Sequence, residues 1–259
     1  MSAMLLLIDI GNTHTHLGLA EGQRVVRHTN IATQAWGNRA APPSLRRFVG
    51  RRELHGAALC SVVPSRTPIV RQAVSKIWGV HCLELTSQNA SGIRIEYPNP
   101  KTIGPDRLAN AVAARHHFGA PVVVVDFGTA VTFDVVNRSG NYVGGIIAPG
   151  LAALTEYLHE KTALLPRIKI REVRRAVGKS TEEAMLIGIV HGYRGLVREL
   201  LKGLKVELRS PRLPVVATGG YGKLMAKWVP EITQINPLLT LEGLSLVWQA
   251  RNIPQVHFE

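Results

Sequence analysis

Residues 4–20 read MLLLIDIGNTHTHLGLA. An apolar run ends in Asp9-Ile10-Gly11-Asn12-Thr13, and a second apolar run follows from His16 to Ala20, then Glu-Gly-Gln and Arg24-Val25-Val26. That is the pattern of strand, tight turn, strand, turn, strand. Residues 121–143 repeat it. Val122 to Val125 lead into Asp126-Phe127-Gly128-Thr129-Ala130, then Val131 to Val136, Asn-Arg-Ser-Gly, and Tyr142-Val143. Asp9 and Asp126, like Gly11 and Gly128, lie 117 residues apart. The repeat predicts two similar halves, 1–117 and 118–259, each opening on a strand, a D-x-G turn and a hairpin.

Outward from these hairpins, residues 57–60 and 81–85 read as strands around a helix at 68–78, which gives a βαβ pattern. A polar, proline-bearing loop at 87–103 leads into an apolar-periodic helix at 105–118. In the second half, helices are predicted at 150–159, 181–204, 220–228 and 239–249, with a strand at 213–217. The class is α/β.

Composition narrows the function. Of the 259 residues 46% are hydrophobic and 19% charged, which is material for a core rather than for a disordered chain. Two cysteines, Cys60 and Cys82, build neither a disulfide framework nor a CxxC metal pair. Neither apolar run, 4–8 or 122–125, approaches the roughly 20 residues that span a bilayer, and no basic segment precedes the first. The expectation is a cytoplasmic protein with no membrane partner. Thirty-one Lys and Arg against 18 Asp and Glu leave +13, a balance that attracts anionic metabolites or nucleic acid. Aromatic residues at 5% leave few stacking platforms for single strands, so a nucleic-acid role is not expected.

The chemistry is concentrated at glycine turns. Gly11 lacks a Cβ, so backbone N–H groups and the Thr13 hydroxyl can approach phosphate oxygens, and Asp9 at the strand end can orient Mg²⁺ or its water. One such turn can be an ordinary hairpin; two, one per half, can hold the phosphates of one nucleotide. Thr218-Gly219-Gly220 after an apolar strand offers a third turn, suited to a base or ribose, although Gly-Gly there is also a common plain turn. Gly178-Lys179-Ser180 resembles the end of a Walker A loop, but Val173 stands where its first glycine belongs. Gly104-Pro105-Asp106-Arg107 opens a helix with a carboxylate beside a guanidinium. Asp106 could accept a hydroxyl proton while Arg107 holds an acid group, or the pair could be a helix-dipole contact and a solvated arginine. His14 with His16, and His116 with His117, lack a third ligand and read as surface or core histidines.

Taken together, the motifs resemble the type III pantothenate kinases of the acetate and sugar kinase/Hsp70/actin superfamily. The resemblance rests on DIGNT at 9–13, YPNP at 97–100, GPDRLANAVAA at 104–114, DFGTAVTFD at 126–134 and YVGGIIAPGL at 142–151. It continues through KTALLP at 161–166, GKSTEEA at 178–184, ATGGYGKL at 217–224 and LTLEGL at 239–244. It implies a duplicated RNase H-like (actin-like ATPase) fold, two similar domains with an interdomain cleft, and transfer of the ATP γ-phosphoryl group to pantothenate, the first step toward coenzyme A. By motif position, Asp9, Ile10, Gly11, Asn12, Thr13, His14, Thr15 and His16 would hold ATP phosphates, with Thr129 also contacting ATP and Gly219 and Gly220 at the nucleotide. Asp126 would bind a monovalent cation, K⁺ or NH₄⁺, and Mg²⁺ would accompany ATP. Tyr97, Gly104, Pro105, Asp106 and Arg107 would contact pantothenate, Asp106 as proton acceptor, and Thr181 would reach substrate across a homodimer interface. Pro105 stands where many members carry a small residue, and the residues after DIGNT vary in the family.

Two other readings remain at this stage. One is another kinase or phosphatase of the superfamily, which the Tyr97 to Asp106 segment disfavours. The other is a catalytically idle basic regulatory or nucleic-acid-associated protein, which would predict damaged phosphate turns; both turns are intact.

Overall fold

A computed structural model describes residues 3–38 and 40–252. Its elements run β1 (Met4–Ile10), β2 (His14–Glu21), β3 (Arg24–Ala32), α1 (Ala41–Val49), β4 (Leu54–Ser61), α2 (Thr67–Trp78), β5 (Cys82–Glu84), β6 (Arg94–Ile95) and α3 (Pro105–Phe118). They continue with β7 (Val122–Phe127), β8 (Ala130–Val136), β9 (Asn141–Pro149), α4 (Leu151–Lys161), α5 (Thr181–Glu207), β10 (Val215–Thr218), α6 (Gly222–Trp228), β11 (Gln234–Ile235) and α7 (Leu239–Asn252).

The chain forms two units. The first takes residues up to Gly119, with Gly140–Val143 and the segment from Leu238 onward; the second takes Ala120–Ser139 and Gly144–Pro237. Strand order in the first unit is β3-β2-β1-β4-β5, with β1 antiparallel to β2 and parallel to β4. In the second unit β9-β8-β7-β10-β11 repeats this order, with β7 antiparallel to β8 and parallel to β10. The repeat seen in the sequence is therefore a repeat of topology.

A central strand covered on both faces needs apolar residues at every position rather than at alternate ones, and β1 supplies them: Leu5, Leu6, Leu7 and Ile8 are all buried. Parity then sorts its side chains. Leu6, Ile8 and Ile10 join Trp36, Leu45 and Phe48 in one core cluster with Val70 and Val74 of α2. On the other parity, Leu7 lies beside Gly18, whose missing Cβ leaves room for Leu241 of α7. Asp9 shares that parity with Leu7, so the strand end turns its carboxylate toward the face that α7 occupies.

The sequence boundary at 117 would leave α7 with the second half, yet α7 packs with the first unit. A Cβ on Gly243 would collide with the Ala109 carbonyl, so glycine lets α7 meet the backbone of α3 directly. Thr240 Oγ1 donates to the buried Asn110 Oδ1 at 2.7 Å, and His117 Nε2 lies 2.9 Å from Glu242 Oε2. Gly140–Val143 also group with the first unit, where Arg94 and Ile95 of β6 pair in parallel with Asn141 and Tyr142. The predicted loop 87–103 thus contains β6 and a 3₁₀ turn at Pro100–Thr102. Helix α1, not expected from the sequence, begins with Pro42 and Pro43 in its first turn, where a missing N–H costs nothing. Among the described residues no helix is long and apolar enough to cross a membrane.

Candidate active site

The first turn is tight because Gly11 N–H donates to the His14 carbonyl at 3.0 Å, and a Cβ on Gly11 would sit 2.9 Å from that oxygen. Asn12, Thr13 and His14 are exposed at its tip, while Ile10 and Thr15 are buried. Thr15 therefore does not face a ligand: its hydroxyl meets Thr33 and the Trp36 indole in the interior. His16 Nδ1 donates to Asn30 Oδ1 at 2.8 Å, and burial lowers its pKa against that hydrogen bond, with His14 and His28 adding to the lowering.

Asp9 pairs in register with His16 on one side and Cys60 on the other. The Cys60 thiol donates to Asp9 Oδ1 at 3.3 Å. Burial, then the charges of Asp9 and Asp106, push this thiol well above its ordinary pKa. One buried sulfur thus senses both carboxylates, which places Asp9 and Asp106 in a single neighbourhood of the first unit.

Asp106 stands in the first turn of α3, with Pro105 ahead of it in that turn and Gly104 at the N-cap. The Arg107 N–H donates to Asp106 Oδ1 at 2.9 Å, and a Cβ on Gly104 would lie 2.5 Å from that same oxygen. Glycine is what lets the carboxylate fold back over the helix start. Burial outweighs the Arg107 hydrogen bond and charge, and the Asp106 pKa is raised. A raised carboxylate is the better proton acceptor.

Tyr97 and Arg107 converge on a residue the sequence reading passed over. The buried Tyr142 ring meets Tyr97 edge-on at 6.5 Å, and the Arg107 guanidinium lies 6.0 Å from its centroid. The pairing of β6 with Asn141 and Tyr142 brings this ring to the first unit.

In the second unit Asp126 is the last residue but one of β7, in register with Thr132 and Thr218. Gly219 takes a left-handed conformation, φ +80°, and a Cβ there would strike Asp126 Oδ1 and lie 2.7 Å from the Phe127 backbone. Gly150 is equally constrained: its Cβ would collide with the Thr129 carbonyl and lie 2.5 Å from that of Gly128, and its N–H donates to Thr129 O at 3.2 Å. Asp126, the Gly128-Thr129 turn, Gly150 and Gly219 are therefore gathered at one end of the second sheet, with Thr129 and Gly220 exposed. Gly150 was missed in the sequence because its constraint is a contact with a distant turn.

Thr181, exposed, is the first residue of α5. Ser180 Oγ accepts the Glu183 N–H at 3.2 Å, and Glu183 Oε2 accepts the Lys179 N–H at 2.7 Å, so the Gly-Lys-Ser stretch is a helix cap, consistent with its rejection as a phosphate loop.

Among the described residues no three His, Cys, Asp or Glu cluster as a metal ion held by protein alone would need. A hard divalent ion carried on phosphates asks for only one or two carboxylates, and the oxygen donors of Asp9 suit it.

Two units of one strand order, each with a D-x-G turn closing its central strand, define the RNase H-like duplication of actin-like ATPases and sugar kinases. Solved structures of this fold include (R)-2-hydroxyglutaryl-CoA dehydratase component A of Acidaminococcus fermentans, with TM-score 0.58 and 14% identity over 96% of this chain and 100% of that one. Another is a ROK family glucokinase from Streptomyces griseus in complex with glucose and AMPPNP, with TM-score 0.52 and 12% identity over 95% and 100%. The family model for type III pantothenate kinase matches residues 5–203. Relatives of that description are 43% identical in Akkermansia muciniphila, over 93% of this chain and 96% of theirs, and 40% identical in Methylacidiphilum infernorum, over 94% and 87%. The chain belongs to the type III pantothenate kinase family, and so is an ATP-using kinase of coenzyme A biosynthesis that works with a divalent metal.

Proposed function

We propose that this chain transfers the γ-phosphoryl group of ATP to the primary hydroxyl of pantothenate, with Asp106 accepting the hydroxyl proton. The hydroxyl oxygen forms a bond to the γ-phosphorus, the bond from that phosphorus to the bridging oxygen breaks, and 4'-phosphopantothenate and ADP leave. Such a transfer asks for positioning and charge neutralisation more than for covalent chemistry. The supporting observation is Asp106 itself: half-buried at a helix start, raised in pKa, and held by the N–H of Arg107.

In this reading the turn from Asp9 to His16, with Thr129, Gly219 and Gly220, holds ATP, and Thr15 contributes through the shape of the turn. Asp9 would hold the divalent ion through water; when bound, that ion neutralises phosphate charge. Asp126 would hold K⁺ or NH₄⁺. Tyr97, Gly104, Pro105 and Arg107 hold pantothenate, with the guanidinium toward its carboxylate. The protein acts in the cytoplasm as a homodimer, Thr181 of each copy serving the other, and its positive charge draws in two anionic substrates.

The test is purified protein with pantothenate, ATP, Mg²⁺ and K⁺, followed by mass spectrometry and ADP release. Equimolar phosphopantothenate and ADP support the reading. ADP without phosphopantothenate would overturn the acceptor.

A further inference from the structure

Beneath the first turn runs a chain of hydrogen bonds whose direction can be worked out. Trp36 Nε1 donates to Thr15 Oγ1 at 3.1 Å, Thr15 Oγ1 and Thr33 Oγ1 lie 3.0 Å apart, and Thr33 Oγ1 donates to the Gly11 carbonyl at 2.6 Å. A hydroxyl has one proton to donate. Thr33 gives its proton to Gly11, so it accepts from Thr15. Thr15 then has no proton left for any other acceptor, and it receives the indole N–H. Every bond points toward Gly11.

Local geometry explains why these residues meet. Thr33–Trp36 is a single 3₁₀ turn, in which side chains at i and i+3 eclipse, so Thr33 and Trp36 project to the same side. The Thr33 N–H also donates to the Thr13 carbonyl at 3.0 Å, which fixes this 3₁₀ turn against the glycine turn. All three side chains are buried, and in a low dielectric each bond polarises the next. A carbonyl oxygen turned toward a phosphate would repel it. A donor on the buried side both holds that oxygen inward and reduces its negative charge.

We infer that Thr33 is a positioning residue for ATP: with Thr15 and Trp36 behind it, it holds the Gly11 carbonyl to the interior so that the turn can receive phosphate. The inference rests on the reading of this turn as an ATP phosphate site.

Steady-state kinetics with each substrate varied against saturating partner test it. Thr33→Val removes the donor and should raise KM for ATP about 3- to 10-fold while KM for pantothenate stays within about 2-fold, and Thr33→Ser should restore the wild-type value. Trp36→Phe removes only the far donor and should give a smaller rise in the same direction; it is the deciding variant if Thr33→Val does not fold. A folded Thr33→Val enzyme with wild-type KM for ATP, equal rises for both substrates, or no rescue by serine would each overturn the inference. So would an unaffected KM for ATP in Trp36→Phe where Thr33→Val does not fold. Gly11→Ala separates the two levels. If it leaves KM for ATP unchanged, the turn is not a phosphate site and both readings fall. If it raises KM while Thr33→Val does not, only the positioning role falls.

Discussion

Cys60 Sγ lies 3.3 Å from Asp9 Oδ1, a thiol donating to a carboxylate across strands on which the two residues are register partners. Both are held by the parallel pairing of β1 and β4, so the contact follows from the register of the sheet. Cys60 is wholly buried, whereas Cys82 is partly exposed with its pKa pushed up to about 11. Iodoacetamide at about pH 8 should leave Cys60 unmodified in the native protein and label Cys82 slowly, with both labelled in denaturant, as read by peptide mass spectrometry. Fast native labelling of Cys60 would contradict its placement.

Asp106→Asn keeps size and removes the proposed proton acceptor, and should lower kcat about 10²- to 10⁴-fold while leaving ATP binding nearly unchanged. The pH dependence has a definite sign. With Asp106 as the proposed proton acceptor, activity falls as pH drops through its pKa, and burial shifts that acid limb upward from the position of an ordinary aspartate. Arg107→Met removes an opposing positive charge and should move that limb higher still. A group raised in the fold stabilises it only while protonated; that contribution is full below the ordinary carboxylate pKa and is lost as pH rises through the raised one. Asp106→Asn should therefore raise the thermal midpoint at neutral pH. A lowered midpoint would refute this.

Gly219 and Gly220 are neighbours with opposite expectations. Alanine at 219 must take a left-handed conformation, a cost of roughly 1–2 kcal/mol, and its Cβ strikes Asp126 Oδ1 and crowds the Phe127 backbone. A Cβ at 220 meets nothing within 4 Å. Thermal unfolding should show Gly219→Ala clearly destabilised and Gly220→Ala near wild type; equal shifts would mean that the Asp126 contact is not made.

With Asp126 assigned to a monovalent cation, exchange into Na⁺ or Tris buffer should suppress turnover and added K⁺ or NH₄⁺ should restore it. Equal rates in all buffers would remove that assignment.

Gly188, Gly192 and Gly195 follow one another along one face of α5, and a Cβ on any of them meets nothing of this chain within 4 Å. Gly192→Leu should leave the subunit folded but weaken a homodimer that packs there, shifting the mass in multi-angle light scattering toward the monomer. Thr181→Ala should raise KM for pantothenate in the dimer. Dimer mass unchanged by Gly192→Leu would place any interface elsewhere.

The two D-x-G turns, their hairpins and the helix start at Gly104 were legible in the sequence because each is a local event: an apolar run, a glycine, a reversal, or a cap within a few residues. The duplication was legible because both copies keep that local grammar at one spacing. The order of the remaining strands could be read only from the structure, as could the return of α7 to the first unit, since Gly243 acts through Ala109 and no local pattern marks that contact. The same holds within the site. Thr33 and Trp36 lie in an unremarkable stretch and acquire a role only where β2 sets Thr15 between the two of them and Thr33 reaches the Gly11 carbonyl. Tyr142 reads as one more strand residue until β6 pairs beside it and sets Tyr97 and Arg107 around its ring. The pKa of Asp106 depended on the same level: its partner Arg107 is adjacent in sequence, but the burial that outweighs Arg107 comes from the fold around it. Sequence determines which groups are available at a turn; burial and long-range register decide which of them face a ligand, and in what protonation state.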